Sequence, residues 1–379
     1  MKKILFAAYS LDYGGIETAL VTLLKYLSND YDITLVLEKK QGVFLNDLPK
    51  NVNVITYTPS INKNKLIRKF LNFIKQIRFK LKYKNKFDFA ASYATYSFPC
   101  SFVARNASKN SCLWIHNDYL NFYDNDVVKY KEFFKDLNID KFKKIVFVSK
   151  YDRQYFNAEF PYLMDRTFTC NNLIDYEKII SKSNEKVDDF KKNDVPTFIN
   201  IGRHDEKQKK ISRIINATRK LNKKGYKFRV IFVGKGSATK KYYSECRDLK
   251  NVQFLGAKKN PYPYLKNSDC FVLSSQFEGY PVVLVEAMVL NKPIITTNVS
   301  DVKDDIDNKY GIVVDNSEKG VYEGMKKFLD NGIKTKKFSA EDYNKEIVEK
   351  INKIINKWKN TEKNGEWYGK FYYTGVQFI

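Results

Sequence analysis

Residues 277–288 read Phe-Glu-Gly-Tyr-Pro-Val-Val-Leu-Val-Glu-Ala-Met, and this segment indicates the architecture of the whole chain. It follows the apolar run Cys270–Ser274, which predicts a buried parallel strand. Gly279 and Pro281 predict a sharp turn, and Pro281 suits the first turn of a helix that extends through Met288. A strand, a turn and a helix N-terminus together form an anion site, because the free N–H groups point outward.

Two glutamates bracket this turn and indicate what it binds. Glu278 lies on the loop before the predicted helix, and Glu286 lies more than one turn inside it. These carboxylates could hold the hydroxyl groups of a sugar and of a ribose whose phosphates lie on the helix end. The alternative is a helix-capping Glu278 and a solvated Glu286, since acid pairs are common in a chain with 29% charged residues.

The segment resembles the Glu-x7-Glu signature, E-G-[FY]-P-x-x-x-x-E-A-M, of retaining glycosyltransferase family 4, whose members have the GT-B fold. Residues 278–288 match every fixed position of that signature. The resemblance implies that Glu286 binds the ribose of a nucleotide-sugar and that Glu278 contacts the transferred sugar. The turn and helix start are expected to meet the donor through four residues: Gly279, Tyr280, Pro281 and Val282.

The chain of 379 residues is too long for one comfortable core, so two domains are expected. Strand and helix patterns alternate throughout, which predicts two doubly wound α/β sheets. The predicted strands of the first half are Ile4–Ala8, Ile33–Leu37, Val52–Tyr57, Phe87–Tyr93, Cys112–Ile115, Ile145–Ser149 and Phe168–Asn171. Those of the second half are Phe198–Gly202, Arg229–Gly234, Val252–Gly256, Cys270–Ser274, Ile294–Thr297 and Ile312–Val314.

These patterns predict a GT-B arrangement of two Rossmann-like domains that face a cleft. Residues 1–185 form the predicted acceptor-side domain, and residues 195–340 form the predicted nucleotide-sugar-binding domain. The polar segment Asn184–Asp194 has no apolar period and is interpreted as the linker between them. As usual in the fold that the chain resembles, a final helix near Tyr343–Trp358 is expected to cross back, so residues 341–379 are assigned to the first domain.

Two positions in the first half are further candidates for the site. Gly14 and Gly15 open a predicted helix after the first strand, and His116 follows the strand Cys112–Ile115. The resemblance implies that Gly15 lies near the donor phosphate and that His116 faces the donor sugar. The alternatives are an ordinary turn between strand and helix and a structural histidine.

A basic loop after the first strand of the second domain predicts contacts to a diphosphate leaving group. Arg203 ends that strand, and Lys207 and Lys209 follow it. The family pattern is Gly-Arg-Leu with a lysine about five positions past the arginine, but this chain has His204 and Gln208 there. Either lysine could take the role, and the predicted helix Ile211–Leu221 favours Lys209; the alternative is a solvated basic loop. In the Gly-x-Gly of the next strand, Gly234 is expected beside the nucleotide.

No metal site is expected. Asp-x-Asp occurs three times, at 30/32, 124/126 and 305/307, but none follows a convincing strand in a GT-A layout. Two histidines in the whole chain exclude a His-rich site. The resemblance implies that Arg203, a lysine and helix N–H groups replace the metal, so no cofactor is expected besides the donor, for which a UDP-sugar is expected.

The net charge of +24 indicates an anionic partner, which could be nucleic acid, an anionic membrane surface or an acidic substrate. Between Asn62 and Lys86 the chain has ten Lys or Arg residues and no acid. Apolar residues recur there at steps of three and four, which predicts a basic amphipathic helix. Two interpretations stay open: a membrane-surface element, or a domain-packing helix with a solvated lysine face.

These features favour a cytoplasmic enzyme, with peripheral contact to the inner face of the cell membrane as an open alternative. Five scattered cysteines without a Cys-x-x-Cys pair are expected to be reduced, and no apolar run is long enough for an export signal or a membrane span. The predicted reaction is retaining transfer of a sugar from a nucleotide-sugar to a hydroxyl of a lipid-linked or polymeric glycan in surface-polysaccharide synthesis.

Two alternative functions are less consistent with the sequence. A GT-B sugar-nucleotide epimerase would share the fold but needs a richer set of acids and histidines. A basic nucleic-acid-binding protein would explain the charge, but the chain has no helix-turn-helix, ribonucleoprotein or zinc signature, so no nucleic-acid partner is expected.

Overall fold

The computed structural model describes residues 1–192 and 194–356, and these residues contain two parallel β-sheets. The first sheet comprises β1 (Lys2–Ala8), β2 (Tyr31–Leu37), β3 (Asn53–Thr56), β4 (Phe89–Ser92), β5 (Ser111–Ile115), β6 (Lys144–Phe147) and β7 (Thr167–Thr169). Its strand order is β3-β2-β1-β4-β5-β6-β7, and every pairing is parallel. The strands are largely buried, as expected for a parallel sheet with helices on both faces.

The second sheet repeats this topology with six strands. They are β8 (Thr197–Ile201), β9 (Arg229–Val233), β10 (Val252–Gly256), β11 (Cys270–Leu273), β12 (Ile294–Thr297) and β13 (Gly311–Val314). The order is β10-β9-β8-β11-β12-β13, again with parallel pairing throughout. All thirteen predicted strands are present, each within two residues of its predicted ends.

Fourteen α-helices connect these strands within the described residues. Those of the first half are α1 (Gly15–Leu27), α2 (Lys65–Tyr83), α3 (Phe98–Ala107), α4 (Tyr119–Phe122), α5 (Val127–Asp136), α6 (Lys150–Glu159) and α7 (Tyr176–Lys182). Those of the second half are α8 (Ser212–Lys223), α9 (Thr239–Glu245), α10 (Tyr262–Lys266), α11 (Val282–Val289), α12 (Val302–Ile306), α13 (Glu318–Asn331) and α14 (Ala340–Ile355).

The strand orders locate the ligand-binding edge of each domain. In the first sheet the order reverses at β1 and β4, and in the second it reverses at β8 and β11. Doubly wound sheets bind ligands outside the carboxyl ends of the strands at such a reversal. The loops after β1, β8 and β11 are therefore the ones expected to line a cleft, and two such domains confirm the predicted GT-B fold.

The last described helix, α14, returns to the first domain as predicted. The carbonyls of Ile354 and Ile355 at its end accept hydrogen bonds from Lys144 Nζ (2.5 Å) and Asn110 Nδ2 (3.0 Å). Terminal helix carbonyls lack intrahelical donors, so these two contacts satisfy them. Burial lowers the pKa of Lys144. The end of the predicted helix at Trp358, and the remainder of residues 357–379 assigned to this domain, lie outside the described residues.

The linker segment is held against the second domain. Phe190 is buried, and its ring lies 6.0 Å from that of Tyr264. Asp189 accepts a hydrogen bond from the Tyr264 hydroxyl at 2.7 Å and pairs with Lys258 at 2.5 Å. One aromatic side chain and the polar contacts of Asp189 anchor this segment, so the absence of an apolar period did not reveal that it is docked.

Helix α2 is the one predicted amphipathic helix whose apolar stripe stays outside the core. Only Phe79 among its residues is buried. The domain-packing interpretation is wrong for this stripe, because its apolar side chains face away from the first sheet. None of the helices in residues 1–192 and 194–356 is both long and apolar enough to span a bilayer.

Candidate active site

The loop between β11 and α11 presses directly against the first domain. Pro281 has φ −74° and ψ 104° and caps α11, so the helix begins one residue later than predicted, at Val282. A Cβ on Gly279 would lie 2.2 Å from the carbonyl oxygen of His116, closer than any real contact. Glycine is required here by this close approach, and it brings the Glu278 loop to the end of β5.

Glu278 is buried and receives hydrogen bonds from three side chains. Lys209 Nζ lies 2.5 Å and Ser275 Oγ 2.6 Å from its Oε1, and Gln208 Nε2 lies 3.3 Å from its Oε2. An ammonium group and two neutral donors satisfy a buried carboxylate and fix its direction. The cap role considered for Glu278 is wrong, since the described hydrogen bonds of its side chain go to these side chains and the α11 cap makes no side-chain bond.

Gln208 connects both domains and was not identified from the sequence. Its Oε1 accepts a hydrogen bond from Arg203 at 2.9 Å, and its Nε2 lies 3.5 Å from Asn117 Oδ1 in the first domain. Its carbonyl accepts from the backbone N–H of Gln276 at 2.7 Å. The available signal was that the family pattern has its lysine at this position, five residues past Arg203.

The structure separates the two candidate lysines. Lys209 reaches Glu278, whereas Lys207 Nζ donates to the carbonyl of Phe122 (2.8 Å) and to Asp124 (3.0 Å) of the first domain. Lys207 therefore bridges the domains at an exposed position and is not brought to Glu278. Lys209 is therefore the lysine that lies beside Glu278, and its contact with a diphosphate stays a prediction.

His116 is buried with both ring nitrogens unpartnered among the described residues. Its ring lies 4.2 Å from that of Tyr93. Burial lowers the His116 pKa to about 3, so the imidazole is neutral near pH 7 and has one donor and one acceptor nitrogen. Buried polar atoms without partners are costly, and they are typical of sites that complete their hydrogen bonds with a ligand.

Glu286 is buried in a different environment. Its described hydrogen bond comes from the hydroxyl of Tyr262 at 3.1 Å, and burial raises the Glu286 pKa to about 7. Glu286 lines a small cavity between the domains. Other residues that line this cavity are Thr18, Thr22 and Lys25 of α1, Lys178 of α7, and Val282. The interpretation of Glu286 as a solvated helix residue is wrong.

The start of α1 faces the basic loop across the cleft. A Cβ added to Gly15 would meet no atom within 4 Å, so the helix N-terminus is open at this residue. Glu17 folds back over Gly14, and its pKa is raised, chiefly by burial, with the charge of Arg203 offsetting a small part of that rise. Exposed Arg203 therefore lies near enough to the start of α1 for its charge to act on Glu17, and the diphosphate contact of these groups stays a prediction.

Two residues that were predicted to contact the donor make structural contacts within the protein. Gly234 has φ +149°, and a Cβ there would lie 1.8 Å from the carbonyl oxygen of Gly202, so it lets the β9 loop pack beside Arg203. The phenol of Tyr280 is buried and donates to Asp305 at 2.9 Å. The described bond of the Tyr280 side chain thus goes to Asp305, although its backbone forms part of the loop.

The Asp-x-Asp pairs are distributed over unrelated places. Asp124 pairs with Lys207, and Asp305 bonds to Tyr280. Asp30 and Asp32 lie at the amino end of β2, away from the carboxyl edge of the sheet. Within the described ranges, no three His, Cys, Asp or Glu side chains are arranged to hold a metal ion.

Comparison with known proteins is consistent with this geometry. Residues 181–346 match the family model described as Glycosyl transferases group 1. An uncharacterized glycosyltransferase of Methanocaldococcus jannaschii is 29% identical over 296 residues, which cover 65% of this chain and 70% of that protein.

A second relative is the N-acetylgalactosamine-N,N'-diacetylbacillosaminyl-diphospho-undecaprenol 4-alpha-N-acetylgalactosaminyltransferase of Campylobacter jejuni. It is 24% identical over 358 residues, with 87% of this chain and 91% of that protein covered. Among solved structures, Anabaena HepE in complex with UDP and glucose superimposes with a TM-score of 0.74 at 15% identity and covers 93% of this chain and 100% of its own. The two sheets and the cleft between them show the GT-B fold, and residues 181–346 are similar to the Glycosyl transferases group 1 domain.

Proposed function

We propose that the protein transfers a sugar from a nucleotide-sugar to a hydroxyl of a glycan acceptor with retention of anomeric configuration, as in glycosyltransferase family 4. The observation that carries the proposal is the cluster of buried Glu278 with partly buried Lys209 and Gln208, which lies in the cleft against His116. This cluster combines a fixed carboxylate for sugar hydroxyls with an ammonium group for the leaving diphosphate.

Each group has a role that follows from its chemistry. Glu278 accepts hydrogen bonds from hydroxyls of the transferred sugar, and neutral His116 exchanges hydrogen bonds with the same sugar from the first domain. Arg203, Lys209 and the open start of α1 at Gly15 meet the diphosphate, because they carry positive charge and free N–H groups. Glu286 lines the interdomain cavity, where a ribose would supply two hydroxyls.

The reaction exchanges one glycosidic bond for another. The bond from the sugar anomeric carbon to the diphosphate oxygen breaks, and a bond from that carbon to the acceptor oxygen forms. The acceptor proton leaves with the nucleoside diphosphate, whose growing negative charge is stabilised by Arg203 and Lys209. Because these cations meet that charge, the proposal includes a metal-independent reaction.

The donor and the acceptor are proposed from the relatives. Anabaena HepE was solved with UDP and glucose, which supports a UDP-sugar as donor. The Campylobacter jejuni relative acts on a diphospho-undecaprenol-linked sugar according to its name, which supports a lipid-linked glycan as acceptor.

A thermal-shift screen of nucleotides and nucleotide-sugars tests the donor proposal. A ligand at about 100 times its Kd stabilises the protein by roughly 2.7 kcal/mol, so the matching donor stands out among the compounds. Turnover of that donor with a lipid-linked acceptor, followed by NMR of the product anomer, then tests retention.

Turnover measured with EDTA present tests the absence of a metal. We expect the rate to survive chelation. Complete loss that Mg²⁺ or Mn²⁺ restores would contradict metal independence, and an inverted product would contradict retention. Interconversion of nucleotide-sugars without an acceptor would instead indicate the epimerase.

A further inference from the structure

The apolar stripe of α2 points away from the protein. Leu66, Phe70, Phe73 and Leu81 have exposed fractions of 77%, 62%, 58% and 78%. Together with Ile77 they recur at steps of three and four, so they form one face of the helix. Isolated exposed apolar residues are ordinary, but a continuous stripe along a whole helix marks an interaction surface. We call these five residues the outer stripe.

The opposite face of α2 fixes this orientation. Phe79 is buried, with its ring 5.3 Å from Tyr57, and Asn72 Oδ1 accepts a hydrogen bond from the backbone N–H of Ser60 at 2.6 Å. Lys75 Nζ donates to the carbonyl of Thr58 at 2.8 Å. These contacts hold the helix against the first domain, so the outer stripe cannot turn inward without breaking them.

Exposed cations lie on α2 beside the outer stripe and farther round the helix. They are Lys65, Arg68, Lys69, Arg78, Lys80 and Lys82. No acidic residue occurs between Asn62 and Lys86. A helix with an apolar face and exposed cations around it is the form that lies in the interface of a bilayer, where the stripe enters the acyl boundary and the cations meet anionic headgroups.

We propose that α2 docks the protein on an anionic lipid bilayer through the outer stripe. Charge complementarity selects this occupant. A second copy of the same face would bring cations against cations, and a nucleic acid would meet an aliphatic centre where phosphates need positive charge. Helix α2 follows β3, so its amino end lies at the carboxyl edge of the first sheet, where the cleft opens. A substrate held in the membrane therefore meets the protein on the side of its site.

Vesicle flotation measures this contact. With vesicles of equimolar phosphatidylcholine and phosphatidylglycerol, the parent protein should float and should be released as salt rises. The quadruple variant Leu66→Gln, Phe70→Gln, Phe73→Gln, Leu81→Gln should stay in solution, because each apolar side chain withdrawn from water favours binding roughly tenfold or more. These four side chains are exposed, so the variant should unfold at the same denaturant concentration as the parent.

A second set of variants separates the effect of the α2 cations on vesicle binding from the effect of the total charge of the protein. Lys69→Gln, Arg78→Gln, Lys80→Gln and Lys82→Gln together should weaken binding about fivefold per residue, which corresponds to ~1 kcal/mol each. The matched control carries Lys223→Gln, Lys227→Gln, Lys240→Gln and Lys250→Gln, which remove the same charge from exposed positions of the second domain. The control should float like the parent. Equal loss in both variants would overturn the proposal, because net charge would then explain the binding.

A fluorescent probe tests the depth of insertion. All five native cysteines are buried, so a thiol at Phe70→Cys can be labelled selectively with an environment-sensitive dye. Its emission should shift to the blue with anionic vesicles, whereas a label at Lys223→Cys should not respond. An unchanged spectrum at Phe70→Cys would contradict insertion of the stripe.

Two other results would also overturn the lipid contact. One is a dimer that the Gln variant of the outer stripe abolishes; the other is salt-sensitive binding to single-stranded DNA in place of vesicles. Vesicle binding requires no turnover, so failure of this contact and failure of the proposed sugar transfer are distinguishable.

Discussion

Glu278 and Glu286 lie eight positions apart in one segment, yet their surroundings are opposite. Glu278, on the loop, is paired with an ammonium group and two neutral donors. Glu286, inside α11, has the phenol of Tyr262 and a cavity between the domains, and its pKa rises to about 7. The first carboxylate is positioned before any ligand arrives, whereas the second keeps capacity for new hydrogen bonds.

This difference assigns different energetic roles to the two acids. Removal of the Glu278 charge leaves Lys209 unpaired and disorients the groups at the reacting centre. Removal of the Glu286 charge removes the free-energy cost of a buried carboxylate. It also removes a hydrogen-bond acceptor for the ribose of the nucleotide-sugar. The following predictions test this division, from the largest expected effect to the smallest.

Glu278→Gln should lower kcat by about a hundredfold to a thousandfold, the range for loss of one preorganised electrostatic contact. Nucleoside diphosphate binding should stay nearly intact, because Glu278 faces the sugar. Steady-state turnover and calorimetric titration measure both. Glu318→Gln is the control, since it removes a carboxylate that pairs with Lys220 in the second domain. Unchanged turnover in folded Glu278→Gln would show that this loop is not the active site.

Glu286→Gln should weaken nucleoside diphosphate binding by about tenfold or more, with little change in kcat. A hydrogen bond to a charged group contributes ~1.5–3 kcal/mol, which corresponds to that range. In the parent, affinity should rise as pH passes above 7, because ribose hydroxyls favour the ionised carboxylate. The variant should lose that part of the pH dependence. Equal pH profiles in the two proteins would contradict ribose contact by Glu286.

The two glutamine variants should shift stability in opposite directions at pH 8. Glu278→Gln should lose ~1–3 kcal/mol, because it breaks a charge-assisted contact. The raised Glu286 pKa means that the folded state binds more protons between pH 4.5 and about 7, so this residue costs stability as pH rises through that window. Glu286→Gln should therefore gain about 3 kcal/mol at pH 8 and nothing near pH 4.5. Urea unfolding at both pH values tests this prediction. If both variants lost the same amount of stability at pH 8, the two glutamates would not differ in the way proposed.

His116→Asn should give the smallest of these changes in the free energy of unfolding. The lowered His116 pKa of about 3 means that the unfolded chain binds a proton that the folded chain does not between about pH 3 and 6.5, so this residue lowers stability as pH falls through that window. Between pH 7.5 and 5.5 the parent should lose ~1 kcal/mol more than the variant. A parallel response would show that His116 is protonated in the folded state.

The sequence predicted the fold well because apolar runs determine strands locally. Each strand of both sheets is a short β-rich run between turn residues, and the alternation with helices leaves few topologies. It also predicted the Glu278 loop, Arg203 and the start of α1, because strand order alone brings these loop positions to one edge. The Glu-x7-Glu signature indicated which residue types to expect, and the strand order indicated that they lie at the same edge of the sheet.

Only the tertiary structure decided which side chains meet. Lys207 and Lys209 are two positions apart, and no local pattern shows that one pairs with Asp124 and the other with Glu278. Likewise, the periodicity of α2 predicts an apolar stripe but not its direction, since a packed helix and an exposed helix share that period. Gln208 joins Asn117 across the cleft. Such partners depend on the relative placement of distant segments, whereas the sequence by itself determined the elements and the edge of the sheet at which they would meet.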